Sequence, residues 1–261
     1  MKPEIKISLI GSGKVATQLG KTLFKEGFLI AQVYSQSKKN ALKLSKQIEA
    51  QAITDIKKLN TDSSIYIIAV KDDAIEELAK SIKLKDKIIV HTSGTVAMDV
   101  LKNCSTNYGV FYPLQTFSLE KEVDFKTIPI CIEANNKNTT TSLSYFAKSI
   151  CNNVQKINSE QRKIIHLAAV FACNFSNHLY AIASVILEKN NLSFDILKPL
   201  IEETATKIKN SSPLKIQTGP AIRGDKKTME AHLKLLSKQE RNKKIYKLLS
   251  KNIVESKKVL K

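Results

Sequence analysis

The sequence of 261 residues contains no tryptophan, only three arginines and only four cysteines. The cysteines, Cys104, Cys131, Cys151 and Cys173, form no C-x-x-C pair, so we predict neither a zinc site nor a redox dithiol and expect reduced thiols packed as small apolar groups. No continuous apolar run reaches the roughly 18 residues of a membrane-spanning helix, and the first residues lack the apolar region of a signal peptide. These absences predict a cytoplasmic protein without a metal site.

Charge is strongly unbalanced, with 42 Lys and Arg against 24 Asp and Glu, a net charge of +18. Such an excess is common in proteins that bind nucleic acids or anionic membranes. Lysine supplies 39 of the cations, however, and these lysines are spread over the whole length without the basic–aromatic clusters that stack bases. We therefore expect neither a nucleic-acid nor a membrane partner, although a positive surface would attract a phosphorylated small molecule.

The first half alternates short, β-branched apolar runs with amphipathic helical patterns. This alternation predicts an α/β fold with a doubly wound, mostly parallel Rossmann sheet. Predicted strands cover residues 5–10, 28–34, 65–70, 88–91, 108–111, 128–133 and 154–157, and predicted helices cover residues 15–26, 39–48, 74–82 and 141–149.

After residue 157 the strand-like runs stop and the chain reads as helix, which predicts domains at residues 1–157 and 158–261. Asn158 and Gln161 have the spacing of a capping box, and the pattern that follows, to Leu187, is apolar on nearly every side. Such a helix should be buried, as the spine of the second domain or in a dimer interface. Ser193 is predicted to cap a second helix, and Ser237 with Glu240 a last one.

The segment Gly11-Ser12-Gly13-Lys14-Val15-Ala16 follows the first predicted strand and opens the first predicted helix. This is the G-x-G-x-x-A form of the dinucleotide-binding fingerprint, in which the glycines allow a tight turn and a close approach of the backbone to a pyrophosphate at the helix N-terminus. The context favours a dinucleotide site over a plain glycine turn.

The end of the second predicted strand favours NADP over NAD. An NAD site would place Asp or Glu there to bind the ribose hydroxyls, but residues 33–39 read Val-Tyr-Ser-Gln-Ser-Lys-Lys, and no acidic residue occurs between Glu26 and Glu49. Hydroxyl and ammonium groups can instead bind a 2′-phosphate. Together with the ends of the next two strands, the predicted cofactor-binding residues are Gly11, Ser12, Gly13, Lys14, Val15, Ser35, Gln36, Ser37, Lys38, Ala69, Val70, Lys71 and Thr92.

Candidate substrate groups lie at a strand end and on the long helix. His91 and Ser93 follow the 88–91 strand and could orient a substrate, or Ser93 could merely cap the next turn. His166, Asn174 and Asn177 recur at steps that place them near one face of a helix, either facing a cleft between the domains or satisfied within a core.

The glycine-rich loop at residues 217–225 contains Arg223, whose planar guanidinium suits a carboxylate or phosphate. Alternatively, Arg223 pairs with Asp225 in an ordinary turn between helices.

With these segments identified, the whole chain resembles the Rossmann-like proteins that carry the helical domain of unknown function 2520 and are described as NADP oxidoreductases. The resemblance rests on Gly11–Ala16, Val33–Ser37, Ala69–Ile75, His91–Gly94, Tyr112–Phe117, His166–Asn177, and Thr218–Asp225 with His232. More distantly, it is similar to pyrroline-5-carboxylate reductase, ketopantoate reductase and the 6-phosphogluconate and β-hydroxyacid dehydrogenases. The resemblance implies an all-helical C-terminal domain of the 6-phosphogluconate dehydrogenase type and a possible homodimer through it.

The chain departs from its relatives at two positions, since they often carry Pro at Lys71 and His at Tyr112. The long helix also has no clear counterpart of the lysine found in β-hydroxyacid dehydrogenases.

We expect an NADP-dependent oxidoreductase that moves hydride between nicotinamide and a small, anionic carbonyl or imine compound in the interdomain cleft. In this hypothesis His166 donates a proton, Asn174 and Ser93 position the substrate, and His91, Asn177 and Arg223 bind it. The departures leave open a non-catalytic NADP-binding sensor or scaffold.

Overall fold

The structure is a computed structural model that describes residues 5–256, and the chain up to residue 156 is built around one sheet. Within the described residues the sheet has eight strands. In chain order they are β1 (Lys6–Ile10), β2 (Leu29–Tyr34), β3 (Gln51–Ile53), β4 (Ile65–Ile68), β5 (Ile88–His91), β6 (Asn107–Pro113), β7 (Ile130–Ala134) and β8 (Val154–Lys156).

The strand order is β3-β2-β1-β4-β5-β6-β7-β8, and every neighbouring pair is parallel except β6 with β7. The predicted doubly wound, mostly parallel sheet is confirmed. The chain winds outward from β1 in both directions, so the point where the strand order reverses lies between β1 and β4. Ile10 pairs with both Tyr34 and Ile68, so three strands end level there, and ligands of such sheets bind beyond these ends.

Helices cover both faces of the sheet: α1 (Lys14–Lys25), α2 (Lys38–Gln47), α3 (Asp72–Lys80) and α4 (Lys137–Ile150). Successive side chains of a strand point to opposite faces. In β4, Ile67 packs in the cluster beneath α1 and α4, whereas Tyr66 and Ile68 pack in the cluster beneath α3. This explains the nearly continuous apolar runs. The prediction omitted the short strand β3, and only a 3₁₀ turn at Met98–Leu101 lies between β5 and β6.

The remaining described chain is helical, as predicted. It forms α5 (Ser159–Ala169), a π-helical segment (Val170–Phe175), α6 (Ser176–Glu188), a 3₁₀ turn (Phe194–Leu197), α7 (Lys198–Asn210), α8 (Pro220–Arg223), α9 (Lys226–Leu235) and α10 (Glu240–Ser256). The capping box is confirmed, because Asn158 Oδ1 accepts the N–H of Gln161 at 2.8 Å and Gln161 Oε1 accepts the N–H of Asn158 at 2.9 Å. The capping box predicted from Ser237 is wrong, since Gln239 occupies the position before α10 and its carbonyl accepts the first helical bond, from Lys243.

Contacts within the chain divide it into two compact units, Met1–Cys173 and Asn174–Lys261. By this measure α5 belongs with the sheet. The functional boundary after residue 157 stays a prediction. Three cysteines are buried free thiols as expected, but Cys173 is exposed, because the π-helical segment that carries it has no buried residue.

The helix that the sequence predicts to be buried is exposed in the single chain. Apolar side chains with exposed fractions of 39–66% lie along it: Ile164, Leu167, Phe171, Phe175, Leu179 and Val185. Ser159–Glu188 is also long and apolar enough to span a membrane by length and composition, although polar residues such as Asn174 and His178 interrupt its apolar run. The sequence left open a helix buried as the spine of the second domain and a helix in a dimer interface. This exposure disfavours the first alternative.

Candidate functional site

A cavity of about 660 Å³ lies beyond the carboxyl ends of β1, β2 and β4, where the strand order reverses. Twelve of the thirteen residues predicted to bind the cofactor line it, together with Tyr34, Ala74 and Leu78. The exception is Lys38, which is the exposed first residue of α2 and lies outside the lining.

The two glycines of the fingerprint have different roles. Gly11 has φ 132°, its N–H donates to the carbonyl of Tyr34 at 2.8 Å, and a methyl group on it would lie 2.2 Å from the carbonyl oxygen of Ala69. A side chain is therefore excluded by both backbone conformation and contact. A methyl group on Gly13, by contrast, would meet no atom within 4 Å, so at this position the absent side chain leaves open space beside the cavity.

The N-terminus of α1 is free to bind an anion. Gly13 provides no side-chain cap, and the first turn contains no acidic residue. The first N–H groups of a helix have no partner within it, and together with the helix dipole they favour a phosphate. Open space above these donors is what a pyrophosphate requires.

Hydroxyl groups occupy the end of β2. Ser12 Oγ donates to Ser35 Oγ at 2.8 Å, Ser35 Oγ also accepts the N–H of Ser37 at 3.3 Å, and Ser37 caps α2. Among the residues that the structure describes, no acidic residue lines the cavity, and the two cationic residues in its lining are Lys14 and Lys71. Hydroxyl and ammonium donors without a carboxylate fit a ribose that carries a 2′-phosphate.

His91, at the end of β5, does not contact the cavity. It is fully buried, its Nδ1 accepts the N–H of Ser93 at 3.2 Å, and its Nε2 faces the carbonyl of Ala97 at 3.4 Å. Burial, with a smaller effect from the nearby positive charge of Arg162, lowers its pKa to about 4, so the ring is neutral at pH 7. The prediction that His91 binds substrate is wrong in this structure, because the ring is buried and its nitrogens face backbone groups of Ser93 and Ala97.

Ser93 also has a local role. Its Oγ accepts the N–H groups of Thr95 and Val96, both at 3.0 Å, and the residue is nearly buried. The capping alternative describes this hydroxyl, and its proposed contact with a substrate oxygen has no support from the geometry. The turn it caps continues directly from Thr92, which lines the cavity.

His166 of α5 lies on this same turn. Its ring is so close to Gly94 that a methyl group there would lie 2.6 Å from His166 Nδ1. Nδ1 is also 3.1 Å from the hydroxyl of Tyr112, the penultimate residue of β6. His166 is half-buried, whereas Tyr112 is buried, and burial raises the pKa of the Tyr112 phenol to about 12. The His166 imidazole thus contacts Gly94, which is two residues along the chain from Thr92 in the cavity lining.

The sequence analysis missed the charged pair that holds α5 in place. Arg162 is fully buried and forms an ion pair with Glu133 of β7, and its guanidinium also donates to the carbonyl of Val96. Glu133 accepts in addition the N–H and the hydroxyl of Ser159, each at 2.9 Å. Arg162 precedes His166 by four residues, one turn, and this spacing together with the scarcity of arginine was the available signal.

The other predicted substrate residues belong to the second unit. Asn174 and Asn177 are exposed. Asn174 lies within the π-helical segment and Asn177 follows it in α6, so a wheel drawn at a constant 100° per residue does not hold for these positions. Arg223 is exposed at the end of α8. Asp225 does not form an ion pair with it among the described residues and instead caps α9 through Thr228.

Residues 6–94 match the family "NADP oxidoreductase coenzyme F420-dependent", and residues 128–253 match the domain of unknown function 2520. Comparison with curated proteins gives no match.

Solved structures resemble the chain over nearly its whole length. A Bacteroides fragilis protein provisionally described as an NADP oxidoreductase has 44% identity and a TM-score of 0.91, with 97% of this chain and 98% of that one covered. An imine reductase from Myxococcus stipitatus with NADP⁺ (13% identity, TM-score 0.67) and a reductive aminase from Aspergillus terreus with NADPH and ethyl-5-oxohexanoate (14%, 0.75) share the fold. For both, 97% of this chain and 94% of theirs are covered. This chain therefore belongs to the family of NADP oxidoreductases that carry the C-terminal domain of unknown function 2520.

Proposed function

We propose that this protein transfers hydride between NADP and a small carbonyl or imine compound, with His166 as the proton donor. NADP-dependent oxidoreduction is the chemistry of the family. One observation supports the proposed proton donor: the His166 imidazole lies on the Thr92–Val96 turn, whose first residue lines the dinucleotide cavity.

The residues of the cavity suit the binding of NADP. The N–H groups at the start of α1 would bind the pyrophosphate, and Ser35 and Ser37 the 2′-phosphate, with Lys14 close by. When bound, NADPH supplies a hydride from C4 of its nicotinamide ring.

His166 would then hydrogen-bond the substrate oxygen or nitrogen and deliver a proton to it. Imidazole suits this role because its ordinary pKa lies near neutral pH, where it can both hold and release a proton. His91, neutral and buried, would keep the turn rigid. Asn174 and Asn177 as positioning groups, and Arg223 as the group that binds an anionic substrate, stay predictions.

Calorimetry and hydride exchange test this proposal. NADPH should bind more tightly than NADH, and Gly13→Asp should abolish the binding of both, because a carboxylate would fill the open space at α1. Labelled NADPH should transfer its hydride stereospecifically to at least one member of a carbonyl and imine panel, and His166→Ala should lose turnover while it retains NADPH affinity.

Two outcomes would contradict the proposal. Absence of heat with either coenzyme would remove the cofactor site. Tight NADPH binding without turnover on the panel would favour the sensor or scaffold hypothesis.

We also propose a cytoplasmic homodimer formed through the exposed apolar residues of α5 and α6. Leu167 and Leu179 are 54% and 39% exposed, which is unfavourable for large apolar groups in water when they are clustered. The imine reductase and reductive aminase carry no indication of a nucleic-acid or membrane partner, and a second copy of the chain would remove these groups from water.

A further inference from the structure

We propose that Tyr112 is a positioning residue that fixes the tautomer of neutral His166, so that Nε2 carries the N–H group with which His166 hydrogen-bonds the substrate. The contact with a substrate rests on the proposed function. The tautomer itself can be measured without any turnover.

The phenol of Tyr112 has little freedom to move. Tyr112 pairs with Cys131 in the antiparallel β6–β7 ladder and packs against Val110 and Cys131 in a small buried cluster. Its hydroxyl is 3.1 Å from His166 Nδ1, and the two rings meet edge to face with centroids 6.2 Å apart. The contact therefore joins a fixed strand residue to a ring on α5.

The count of donors and acceptors decides which nitrogen is protonated. Within the described residues, the Tyr112 hydroxyl makes its hydrogen bond only with His166, and burial keeps it protonated at neutral pH. If Nδ1 carried the proton of neutral His166, the phenolic proton would be left buried without an acceptor, which is costly. If Nδ1 is the acceptor, both groups are satisfied, and the imidazole proton is on Nε2.

Gly94 contacts the Nδ1 edge of the His166 ring. A methyl group at Gly94 would lie 2.6 Å from Nδ1, 2.8 Å from Cγ and 3.1 Å from Cβ of His166. The Nδ1 edge therefore lies between Gly94 and Tyr112. Nε2 makes no hydrogen bond to any described residue, so this nitrogen is the one left for a substrate.

Arg162 keeps this arrangement in register. Arg162 lies one helical turn before His166. Its guanidinium donates to the carbonyl of Val96, which is two residues beyond Gly94. The helix and the turn thus meet at two points, Arg162 with Val96 and His166 with Gly94. A sliding or rotation of α5 that moved His166 away from Gly94 would also break the Arg162 contact.

The tautomer is read from ¹⁵N–¹H spectra of the full-length protein at alkaline pH. His166→Asn assigns the His166 signals among the four histidines of the chain. We expect Nε2 to be protonated and Nδ1 to have the shift of a hydrogen-bonded acceptor. In Tyr112→Phe the Nδ1 signal should move toward that of a free, unprotonated nitrogen.

Tyr66→Phe is the matched control, because Tyr66 is also buried in the sheet but its hydroxyl bonds to Asn60 and Ser63. It should leave the His166 signals in place. Tyr112→Phe should retain NADPH affinity within about twofold and lower kcat by about tenfold or more with KM little changed, the loss expected when a hydrogen-bond donor to the substrate in the transition state is no longer held in place.

A proton on Nδ1 of His166 in the unaltered protein would overturn the inference, and this measurement needs no variant to fold. An unmoved Nδ1 signal in Tyr112→Phe would do the same. The expected tautomer and its response in Tyr112→Phe, found in a protein that reduces no carbonyl or imine, would support the positioning role and contradict the proposed function.

Discussion

Buried polar residues near the sheet edge determine the chemistry that the site can perform. His91 and His166 are both histidines close to one turn, yet His91 is enclosed with both nitrogens facing protein atoms, whereas His166 has one nitrogen free. Enclosure makes the charged form of His91 unfavourable. Environment rather than residue type therefore separates a structural histidine from a candidate proton donor.

We predict that His91 makes the protein sensitive to mild acid. The unfolded chain takes up a proton on His91 below its ordinary pKa of 6.5, whereas the folded protein does so only near its lowered pKa of about 4. The contribution of His91 to the free energy of unfolding is therefore fully present above pH 6.5 and is lost as the pH drops toward 4. Between pH 7.5 and 5, His91 should account for a loss of about 2 kcal/mol in the free energy of unfolding.

Urea unfolding at the two pH values measures this loss. Asparagine cannot titrate in this pH range. The free energy of unfolding of His91→Asn should therefore fall by about 2 kcal/mol less than that of the unaltered protein between pH 7.5 and 5. Equal losses in the two proteins would show that His91 does not titrate differently on folding.

A second prediction concerns the buried ion pair. Arg162→Met leaves the Glu133 carboxylate largely buried without its partner and should destabilise the fold by roughly 3–5 kcal/mol. Glu133→Gln in the same chain removes the unpaired charge, so the double variant should recover part of this loss. Urea unfolding of both single variants and the double variant forms the cycle, and additive losses would mean that the two side chains do not interact.

At the scale of elements, we expect the end of β2 and the start of α1 together to determine which coenzyme binds. The hydrogen bond from Ser12 to Ser35 joins the two elements, so the 2′-phosphate and the pyrophosphate would be bound by groups held in one network. Lys38 was predicted from its position in the sequence, but the first turn of α2 carries it away from the cavity.

We predict that Ser35→Asp reverses the coenzyme preference. A carboxylate at this position repels a 2′-phosphate but can accept hydrogen bonds from a free ribose hydroxyl, so NADPH affinity should fall about tenfold or more, while NADH affinity is retained or increased. Ser35→Asn has nearly the same shape without the charge and serves as the control. Calorimetric titration of both variants with both coenzymes gives the four affinities, and an unchanged preference in Ser35→Asp would place the 2′-phosphate elsewhere.

For the whole molecule, the most conspicuous feature is the exposed apolar surface along α5 and α6. A single chain leaves Leu167 and Phe171 more than half exposed. Association of two copies and contact with a membrane would both remove such groups from water. The proposed homodimer predicts a defined mass in solution.

We expect light scattering after size-exclusion chromatography to give twice the chain mass of 29.1 kDa. Leu179→Glu should shift the protein toward monomer, because dimerisation would bury its carboxylate. Leu42→Glu is the matched control, since Leu42 is equally exposed, at 41% against 39%, but lies on α2. A monomeric unaltered protein, or one that floats with lipid vesicles, would contradict the dimer proposal.

The sequence by itself determined the sheet, its helices and the cavity at the ends of β1, β2 and β4. These depend on local patterns: buried strands read as apolar runs, and the fingerprint from Gly11 to Ala16 needs only its own strand and helix. Twelve of the thirteen residues predicted to bind the cofactor line one cavity because they follow the ends of strands that a parallel sheet brings level.

Tertiary structure alone decided how the polar groups pair. Tyr112 and His166 are 54 residues apart in the chain, and Glu133 and Arg162 are 29 apart, so no local pattern links either pair. His91 and Ser93 were assigned to substrate because a strand end exposes residues in most such sheets, but here the turn folds inward over His91. Partners that meet only after the chain has folded cannot be inferred from spacing, since burial and contact depend on every element that packs around them.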